Sequence, residues 1–587
     1  MTSLLRRKFT IAVAAVLLAI LIGSYGYVSY REQQLKQQQQ EAFEARQKEF
    51  RKTITWLTAL NPSIVGIPVR DSYNGMIIKE TYDALVRYEG DSVNLSPCLA
   101  TRWEISPDGK IYTFYLRQGV KFYPSGDPFN AETAKWTLDN AFDPTQLHPI
   151  EIFGAPTVLQ YDRTEIVDQY TIKVYIKKPV AWFLSALAYM TLGGMANPKF
   201  VDAHGGPPKS EATIDPYLIW HQDTTAAYTV DEFVRGDHVT LKRNPTWWGG
   251  WTGDNAKRAE RIVIRYVPEP ATRIMLLARG DADLAYVDLQ YLPELKKRIE
   301  SEKIPLSIDE TSTGKFEFIL IDHKNLPTSD IHIRKMLAWS FNYDQYIKGI
   351  LQGLGDRMTS YTPVGWWGHL GDVPIYTFDL DKAKAELALA APEARSMVQK
   401  ELKVVFTVGR GMGKEGLLLW KSDLNKIGVN LVVEELPTAI WRELQFGAGV
   451  TLLSRQWSPD YPDPSTYYNT VGSNRETVAW ATRPAFIDDL LDKAAGAVNP
   501  DERLKIYRQV EEWAYENVLH VKVASVRGGQ MHNVRANWVK GYKPNPLQDY
   551  KPLYYELWKE LPLEQPKVSA SALGLVLASK RKEVSWD

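Results

Sequence analysis

The stretch RQWSPDYPDPSTYY, residues 455–468, places two aspartates and three prolines among four aromatic residues. Two carboxylates this close suggest acid–base hydrolysis by a carboxyl pair, as in glycosidases. That chemistry needs a set separation around the bond that is cleaved, and the turn holding Asp460 and Asp463 fixes neither a separation nor a sugar platform. A stiff, proline-rich surface turn is the simpler interpretation of the same residues, because prolines restrict the backbone.

Other residue types that carry chemistry are sparse. Cys98 is the only cysteine, which excludes an intrachain disulfide, a Cys-based zinc cluster and a CxxC redox pair. The nine histidines are scattered without an HExxH motif, and no GxSxG nucleophile motif occurs. We therefore predict no catalytic residue, no metal site and no cofactor, and the protein is not expected to be an enzyme.

The composition limits the kinds of partner. A chain of 587 residues with 44% hydrophobic and 24% charged residues is too long for one core, so two or three domains are expected. Seventy basic and seventy acidic residues cancel, which argues against nucleic acid or an anionic membrane surface as partner. The 19 Trp and 31 Tyr suit a surface that contacts a varied ligand, although packing must account for most of them.

The N-terminus predicts export from the cytoplasm. The basic residues 6–8 precede a charge-free apolar run from Phe9 to Ile22, which continues weakly to Tyr30. Two alternatives remain open: a signal peptide cleaved near residues 24–26, or an uncleaved membrane anchor of about 21 residues. Either alternative places the remaining chain outside the cytoplasm, since the basic flank stays inside.

Patterns after the apolar run predict a mixed α/β protein. Residues 31–52 are strong helix formers with few apolar positions, which is typical of a solvated helical spacer. Alternating patterns predict strands, and helical periods predict helices. The predicted strands are 110–122, 168–180, 259–270, 403–410 and 429–437, and the predicted helices are 130–142, 331–351 and 416–428. The last helix, between two strands, makes a unit whose loops gather at one sheet edge, where ligands usually bind.

Three longer blocks carry a resemblance to a known family. The block from ETYDALVRYEG to WTLDNA covers residues 80–140, AAYTVDEFVRGDHVTLKRNPTWWGG covers 226–250, and ATRIMLLARGDADLAYVD covers 271–288. In this order they resemble the dipeptide, oligopeptide and nickel-binding family of bacterial extracellular solute-binding proteins, the receptors of ABC importers. Ala226 stands where the family usually has glycine. Residues 455–468 lie where the family has its ligand loop, and the resemblance covers roughly residues 56–558.

The resemblance implies an α/β, two-lobed periplasmic-binding-protein fold with a central ligand cleft and an extra inserted domain. A ligand that contacts both lobes stabilises their closed arrangement. The expected division is 1–30 signal peptide or membrane anchor, 31–52 helical spacer, 53–82 domain I (segment 1), 83–179 domain II, 180–277 domain I (segment 2), 278–524 domain III, 525–560 domain I (segment 3) and 561–587 mobile tail.

The resemblance also implies ligand-binding residues. Asp460 matches the aspartate that pairs with the α-amino group of a bound peptide, and a carboxylate can accept several N–H bonds from an ammonium group at once. Arg410 lies near the position of an arginine for the ligand carboxylate, with Lys414 or Arg357 as alternatives. Trp457 and Tyr73 are expected at the pocket wall. Residues 360–369, with two tryptophans, either line the cleft or only pack.

Asp463 precedes Pro464, and we expect its carboxylate to support the loop through turn hydrogen bonds rather than to bind ligand.

The predicted function is a periplasmic receptor that captures a peptide or similar amine-bearing solute and delivers it to the permease of an inner-membrane ABC importer. We expect a monomer, and the anchored form is the alternative to a free periplasmic one. An anchored sensor or chaperone of the same fold is a second hypothesis, and a hydrolase using Asp460 and Asp463 is the third. The family also takes up nickel chelates, haem, opines and oligosaccharides, so the ligand class stays open.

Overall fold

The computed structural model describes residues 30–560, with gaps at 32, 36, 39–40, 42–43, 46–48, 60, 62–71, 90–91, 144–159, 190–193, 210–212, 408–410, 446–448, 469, 472–479, 482, 498, 528–530 and 548–553. The apolar run at 9–22 and the tail predicted at 561–587 lie outside the described residues. Within the described residues, no helix is long and apolar enough to cross a bilayer.

The described strands are β1 (Thr53–Thr58), β2 (Val86–Tyr88), β3 (Leu95–Pro97), β4 (Ala100–Ile105), β5 (Ile111–Leu116), β6 (Tyr161–Asp168), β7 (Thr171–Ile176), β8 (Tyr228–Val234), β9 (His238–Arg243), β10 (Arg261–Tyr266), β11 (Leu284–Asp288), β12 (Leu306–Ile308), β13 (Ser312–Ile321), β14 (Gly355–Arg357), β15 (Leu402–Phe406), β16 (Leu431–Glu435), β17 (Leu452–Trp457), β18 (His520–Arg527), β19 (Met531–Ala536), β20 (Val539–Lys540) and β21 (Trp558–Lys559).

The described α-helices are Ser72–Thr81, Ala131–Ala141, Phe183–Leu187, Pro198–Asp202, Pro270–Arg279, Leu292–Glu302, Ile331–Trp339, Tyr343–Gln345, Leu380–Leu389, Pro392–Lys400, Gly413–Asn425, Thr438–Leu444, Ser465–Tyr468, Ala485–Gly496 and Pro500–Glu516. Single 3-10 turns cover Pro216–Ile219, Gly253–Lys257, Leu289–Tyr291 and Tyr554–Glu556, and a π-helical turn covers Tyr346–Ile350.

A seven-stranded sheet collects distant parts of the chain in the order β12-β19-β11-β1-β10-β9-β8. Its central strand β1 pairs in parallel with β10 and β11. The buried carboxylate of Asp283 accepts hydrogen bonds from the backbone N–H of Thr55 at 2.8 Å and from Nε1 of Trp538 at 2.8 Å, and it lies 2.7 Å from Nζ of Lys559. One carboxylate therefore ties the two ends of the described chain to the middle of this sheet.

A four-stranded antiparallel sheet, β4-β5-β7-β6, adjoins the first. Residues 111–116 and 171–176 form the strands predicted there, and the alternating burial of β5 and β7 matches the alternating pattern of the sequence. Asn130 caps the helix Ala131–Ala141 by accepting N–H bonds from Glu132 and Thr133. The seven- and four-stranded sheets with their helices are called the first lobe below.

A six-stranded sheet, β14-β18-β13-β17-β15-β16, forms the second lobe. The predicted strand, helix, strand unit is confirmed, because β15 and β16 pair in parallel across the helix Gly413–Asn425. β17 pairs in parallel with β15 and antiparallel with β13. The carboxyl ends of β15 and β17 therefore lie at the same sheet edge, where the loop after Trp457 begins.

The helix predicted over 331–351 is interrupted. Ile331–Trp339 ends before buried Phe341, and Asn342 then starts a new helical turn by accepting the N–H of Gln345 at 3.0 Å. This local cap competes with continuation of the first helix, and the helical period of the sequence did not reveal it. The described positions between residues 30 and 52 are helical and mostly exposed.

Three large clusters of buried side chains fill the lobes. One includes the seven-stranded sheet and continues into the second lobe through Ile319 and Trp420, so the lobes share a core where they join. A second fills the four-stranded sheet and includes residues between Val180 and Val201. The third lies in the second lobe between β13, β17 and the helix Pro500–Glu516. Tyr461 is the exception, since it comes from the second lobe and is buried in the second cluster.

Ala226, which stands where glycine was expected, is buried and has no positive φ angle. Alanine therefore fits this backbone without strain.

Candidate functional site

The ligand loop, defined as residues 458–464, follows β17 at the edge facing the first lobe. Pro459, Pro462 and Pro464 each lack a backbone N–H, so the ladder of β17 cannot continue through them. The helix Ser465–Tyr468 begins directly after the loop, and all four of its residues are buried. The prolines thus keep the ligand loop irregular, and the buried helix Ser465–Tyr468 anchors its end in the second lobe.

Asp463 is bound to its own lobe. Its side chain accepts two hydrogen bonds from the guanidinium of Arg503, at 2.9 and 2.6 Å, in a bidentate pair. It also accepts the backbone N–H of Ser465 at 2.9 Å. This confirms the predicted turn hydrogen bond, but sequence reasoning missed Arg503, which lies on the helix Pro500–Glu516. Asp463 is therefore a support, held by a charge-assisted pair that is nearly buried.

A second buried network supports the helix that follows the loop. Glu511, almost fully buried, accepts hydrogen bonds from the hydroxyl of Tyr468 at 2.9 Å and from Nζ of Lys522 at 2.7 Å. Its other contact is the backbone N–H of Tyr361, whose hydroxyl lies 2.9 Å from Nδ1 of His520. Burial lowers the pKa of His520 well below its usual value, so this imidazole is neutral at pH 7.

Asp460 occupies the other face of the loop. Its backbone N–H donates to Oγ1 of Thr466 at 3.2 Å, and the residue is half-buried. Burial raises the pKa of Tyr467, and the charge of Asp460 raises it further. Burial likewise raises the pKa of Tyr88, a residue of the first lobe, and the charges of Asp460 and Asp463 both add to that increase. The charge of Asp460 therefore acts on tyrosines of both lobes.

Trp457 ends β17 beside Asp460 and is half-buried. Its indole N–H is buried and has no hydrogen-bond partner among the described residues. The guanidinium carbon of Arg455 lies 5.3 Å from the ring centre. A buried donor without a partner is costly unless another group satisfies it, and a bound ligand is such a group.

Trp366, from the 360–369 segment, packs edge-on against Tyr467 with ring centres 6.0 Å apart. It contacts the buried clusters of both lobes. Gly314, with φ of +65°, lies under both rings, and a Cβ there would collide with them. Glycine is therefore required for this close approach. Trp367, in contrast, is 43% exposed and stacks on Arg503.

The described structure does not bring the remaining predicted site residues, Arg410, Tyr73 and Lys414, together with Asp460. Arg410 lies outside the described residues, although its neighbour Met412 donates its backbone N–H to Oγ of Ser454 in β17. Tyr73 lies in the helix Ser72–Thr81, but its side chain is outside the described residues. Lys414 is exposed near the start of the helix Gly413–Asn425.

The alternative Arg357 does not suit a ligand carboxylate. Its guanidinium donates to backbone carbonyls of Met358, Lys522 and Tyr376 at 2.6 to 2.9 Å. Burial lowers its pKa. Arg357 is therefore a structural residue of the second lobe.

A separate pocket lies inside the first lobe. It holds about 550 Å³ of empty space, part of it open to solvent, and Lys79, Asp83, Arg87, Tyr88 and Cys98 are among its lining residues. Burial raises the pKa of the Cys98 thiol, whose Sγ lies 3.6 Å from the Asp83 carboxylate, so this thiol is not activated. Tyr88 lines this pocket and is also a residue whose pKa is raised by burial and by the charge of Asp460.

The described residues contain no group of three or more His, Cys, Asp or Glu side chains arranged to hold a metal ion.

Two lobes joined by a shared core, with a structured loop at the edge between them, define the class of two-lobed periplasmic binding proteins, and solved structures have this fold. The DppA protein of Helicobacter pylori in complex with the peptide STSA matches with a TM-score of 0.75 at 21% identity, covering 88% of this chain and 100% of that one. NikZ of Campylobacter jejuni in complex with Ni(L-His) matches with a TM-score of 0.72 at 19% identity, covering 87% and 100%.

The family model of the bacterial extracellular solute-binding proteins, family 5 (middle), matches residues 94–478, and the chain belongs to this family. Curated relatives include the probable D,D-dipeptide-binding periplasmic protein DdpA of Escherichia coli, 24% identical over 81% of this chain and 88% of its own length. Heme-binding protein A of Haemophilus influenzae is 26% identical over 81% and 86%. Family 5 proteins bind peptides or similar solutes and deliver them to an inner-membrane ABC importer, which gives the function of this chain.

Proposed function

We propose that the solute carries a free amino group and that Asp460 pairs with it. The observation that carries this proposal is the contrast within the loop: the Asp463 carboxylate is bound by Arg503 in a bidentate pair, whereas half-buried Asp460 is outside that pair and its charge acts on Tyr88 of the first lobe and Tyr467 of the second. A cation bound there contacts both lobes. A charge-assisted contact in a partly dehydrated site discriminates strongly, because a solute without the amine leaves the carboxylate poorly satisfied.

Trp457 is proposed as a second ligand-binding residue, with its indole N–H donating to an acceptor on the solute. Arg410 and Tyr73 are retained as proposed ligand contacts on the strength of the family resemblance alone. Among the names of relatives, dipeptide-binding proteins support a peptide as solute, and heme- and nickel-binding proteins are the alternatives.

Mass spectrometry of small molecules released from the purified, denatured protein tests this proposal. We expect a peptide or another primary amine at a near-stoichiometric amount. A recovered solute without any amino group, such as an oligosaccharide, would contradict the proposed role of Asp460 while leaving the family assignment intact.

We further propose that the protein is a receptor without catalytic activity. The engagement of Asp463 by Arg503 supports this, because it removes one carboxylate from the pair that a hydrolase would use. Assays with peptides and glycosides test it, and turnover that is lost in Asp460→Asn would contradict it.

We propose the predicted division into three domains with two changes: β11 and β12 are assigned to domain I instead of domain III, and residues 180–201 to domain II instead of domain I. β11 and β12 pair within the seven-stranded sheet of domain I, and residues 180–201 pack with the core of domain II. Limited proteolysis with mapping of the first cleavage sites tests this division, since cleavage should fall between the sheets rather than within them.

We propose that residues 9–30 are retained as a membrane anchor, motivated by an apolar run of nearly spanning length followed by a helical spacer. The expressed protein should then fractionate with the inner membrane and begin at or near Met1. A soluble periplasmic product that begins near Tyr27 would show that a signal peptide is cleaved instead.

An anchored receptor also fits the second hypothesis, a sensor or chaperone without a permease. Isolation of the intact complex from membranes separates the two, because an importer predicts a co-purifying permease.

A further inference from the structure

The ligand loop is contacted from the opposite lobe at a point that the family comparison does not assign. The ring of Tyr461 is fully buried and lies parallel to the ring of Trp182, with centres 6.1 Å apart and planes inclined by 6°. Trp182 immediately precedes the short helix Phe183–Leu187 of the first lobe and is almost fully buried. Offset stacking of this kind is a favourable arrangement for two aromatic rings.

Two further contacts between the lobes lie beside this aromatic pair. The backbone N–H of Ala181 donates to the carbonyl of Ala495 at 3.1 Å. Nζ of Lys178 lies 3.1 Å from the carboxylate of Asp492. Asp492 and Ala495 both lie on the helix Ala485–Gly496 of the second lobe. Together with the Trp182–Tyr461 stack, these contacts are called the lobe seam below.

Arg503 connects the seam to the support of the loop. Its guanidinium carbon lies 5.6 Å from the ring centre of Trp182, and the same guanidinium holds Asp463. Tyr461, between Asp460 and Asp463 in sequence, is thus fixed on the first-lobe side by Trp182. The loop is held at Asp463 by its own lobe, and at Tyr461 both by Trp182 of the other lobe and by Oγ of Ser465, which donates to the Tyr461 hydroxyl at 3.2 Å.

We propose that Trp182 is a positioning residue for the ligand loop, acting from the first lobe. When the lobes separate, Tyr461 loses its stacking partner and its burial, while the Asp463–Arg503 pair remains within the second lobe. The Asp460 carboxylate is then held on one side only. Closure of the lobes therefore orders the loop that carries the ligand-binding carboxylate, and this ordering does not require a ligand contact.

Hydrogen–deuterium exchange of the ligand-free, full-length protein tests this inference. The loop offers internal reporters, since the N–H groups of Asp460, Asp463 and Ser465 all donate within residues 460–466. In Trp182→Leu we expect exchange of a peptide covering residues 458–468 to rise about tenfold, with the helix Pro500–Glu516 unchanged. Trp182→Phe should restore protection, because the indole N–H of Trp182 has no hydrogen-bond partner among the described residues.

Trp136→Leu is the matched control. Trp136 also packs against the core of the four-stranded sheet, so this change loosens the same lobe without touching the ligand loop. Tyr461→Leu removes the same stacking contact from the second-lobe side. It replaces Trp182→Leu in the experiment if Trp182→Leu does not fold. Unchanged loop exchange in Trp182→Leu or Tyr461→Leu overturns the inference. Equal acceleration in Trp136→Leu also overturns it, since that result indicates general loosening.

A second measurement asks whether the seam forms without ligand. A carbodiimide, which joins an amine and a carboxylate in direct contact, should link Lys178 to Asp492 in the ligand-free protein, as detected by peptide mass spectrometry. Absence of this link, with links at other close Lys–Asp pairs present, overturns the inference. The consequence for ligand binding rests on the proposed role of Asp460. Neither measurement uses a ligand, so the inference about Trp182 and the proposal about Asp460 can fail separately.

Discussion

The two aspartates of the ligand loop are three positions apart, yet the fold places them in opposite situations. Asp463 points into the second lobe, where Arg503 and the backbone of Ser465 satisfy its side chain. Asp460 is half-buried outside that pair, and its charge adds to burial in raising the pKa of Tyr467 and, together with the charge of Asp463, that of Tyr88. The comparison teaches that one loop combines a supporting face, fixed before binding, with a cleft face whose carboxylate we propose as the contact for the solute. Preorganisation of this kind reduces the ordering cost of binding.

The largest expected effect concerns the supporting face. Arg503→Ala leaves Asp463 buried without its counter-charge, and breaking a buried pair in this way costs about 3–5 kcal/mol. Asp463→Asn should also act mainly on stability. Chemical unfolding measures both.

Arg508→Ala is the control, because Arg508 lies on the same helix but pairs with Asp372 at the surface. It should unfold like the wild type. If Arg503→Ala were equally stable, the supporting face would not depend on the Arg503–Asp463 pair.

The pH dependence of stability tests the burial of two histidines in the second lobe. Burial lowers the pKa of His323 from 6.5 to about 3 and lowers that of His520 well below 6.5. Both imidazoles are neutral in the folded protein but charged in the unfolded chain below pH 6.5. The contribution of each neutral imidazole to the free energy of unfolding is therefore fully present above pH 6.5. Below pH 6.5 the free energy of unfolding falls by about 1.4 kcal/mol per pH unit for each group. For His323 this loss continues towards pH 3.

His323→Gln isolates this contribution, since it removes one titrating group from the second lobe. Its unfolding free energy should fall less steeply than that of the wild type between pH 6 and pH 4. Parallel curves for the two proteins would show that His323 is not buried in its neutral form.

The smallest effect concerns Trp457, beside Asp460. Trp457→Phe keeps an aromatic wall but removes the indole N–H, which has no partner among the described residues. Stability should be nearly unchanged, whereas affinity for the recovered solute should fall by about 1 kcal/mol if that N–H donates to it. Titration calorimetry beside thermal melting separates these outcomes, and equal affinities would exclude Trp457 Nε1 as a donor.

Much of this fold follows from local patterns. Alternation predicted β5 and β7, and the β15–helix–β16 unit predicted the sheet edge at which the ligand loop emerges. The turn role of Asp463 follows from its position before Pro464, because Asp commonly accepts a backbone N–H two residues ahead.

The partners of the loop could not be predicted in the same way. Arg503 follows Asp463 by 40 positions on another helix, and Trp182 belongs to the opposite lobe. Their contacts depend on how helices and lobes pack, which leaves no periodic signal in the sequence. The interruption of the 331–351 helix at Asn342 was missed for a different reason, since a cap of one residue alters the helical period very little.

Titration calorimetry of Asp460→Asn with the solute recovered from the wild-type protein tests the central claim most directly. The substitution keeps the shape of the side chain and removes its charge, so affinity for an amine-bearing solute should fall by about 2–5 kcal/mol. The melting temperature should remain close to that of the wild type, in contrast to Asp463→Asn. Equal affinities of Asp460→Asn and wild type would contradict the account, because the carboxylate on the cleft face would then not bind the solute.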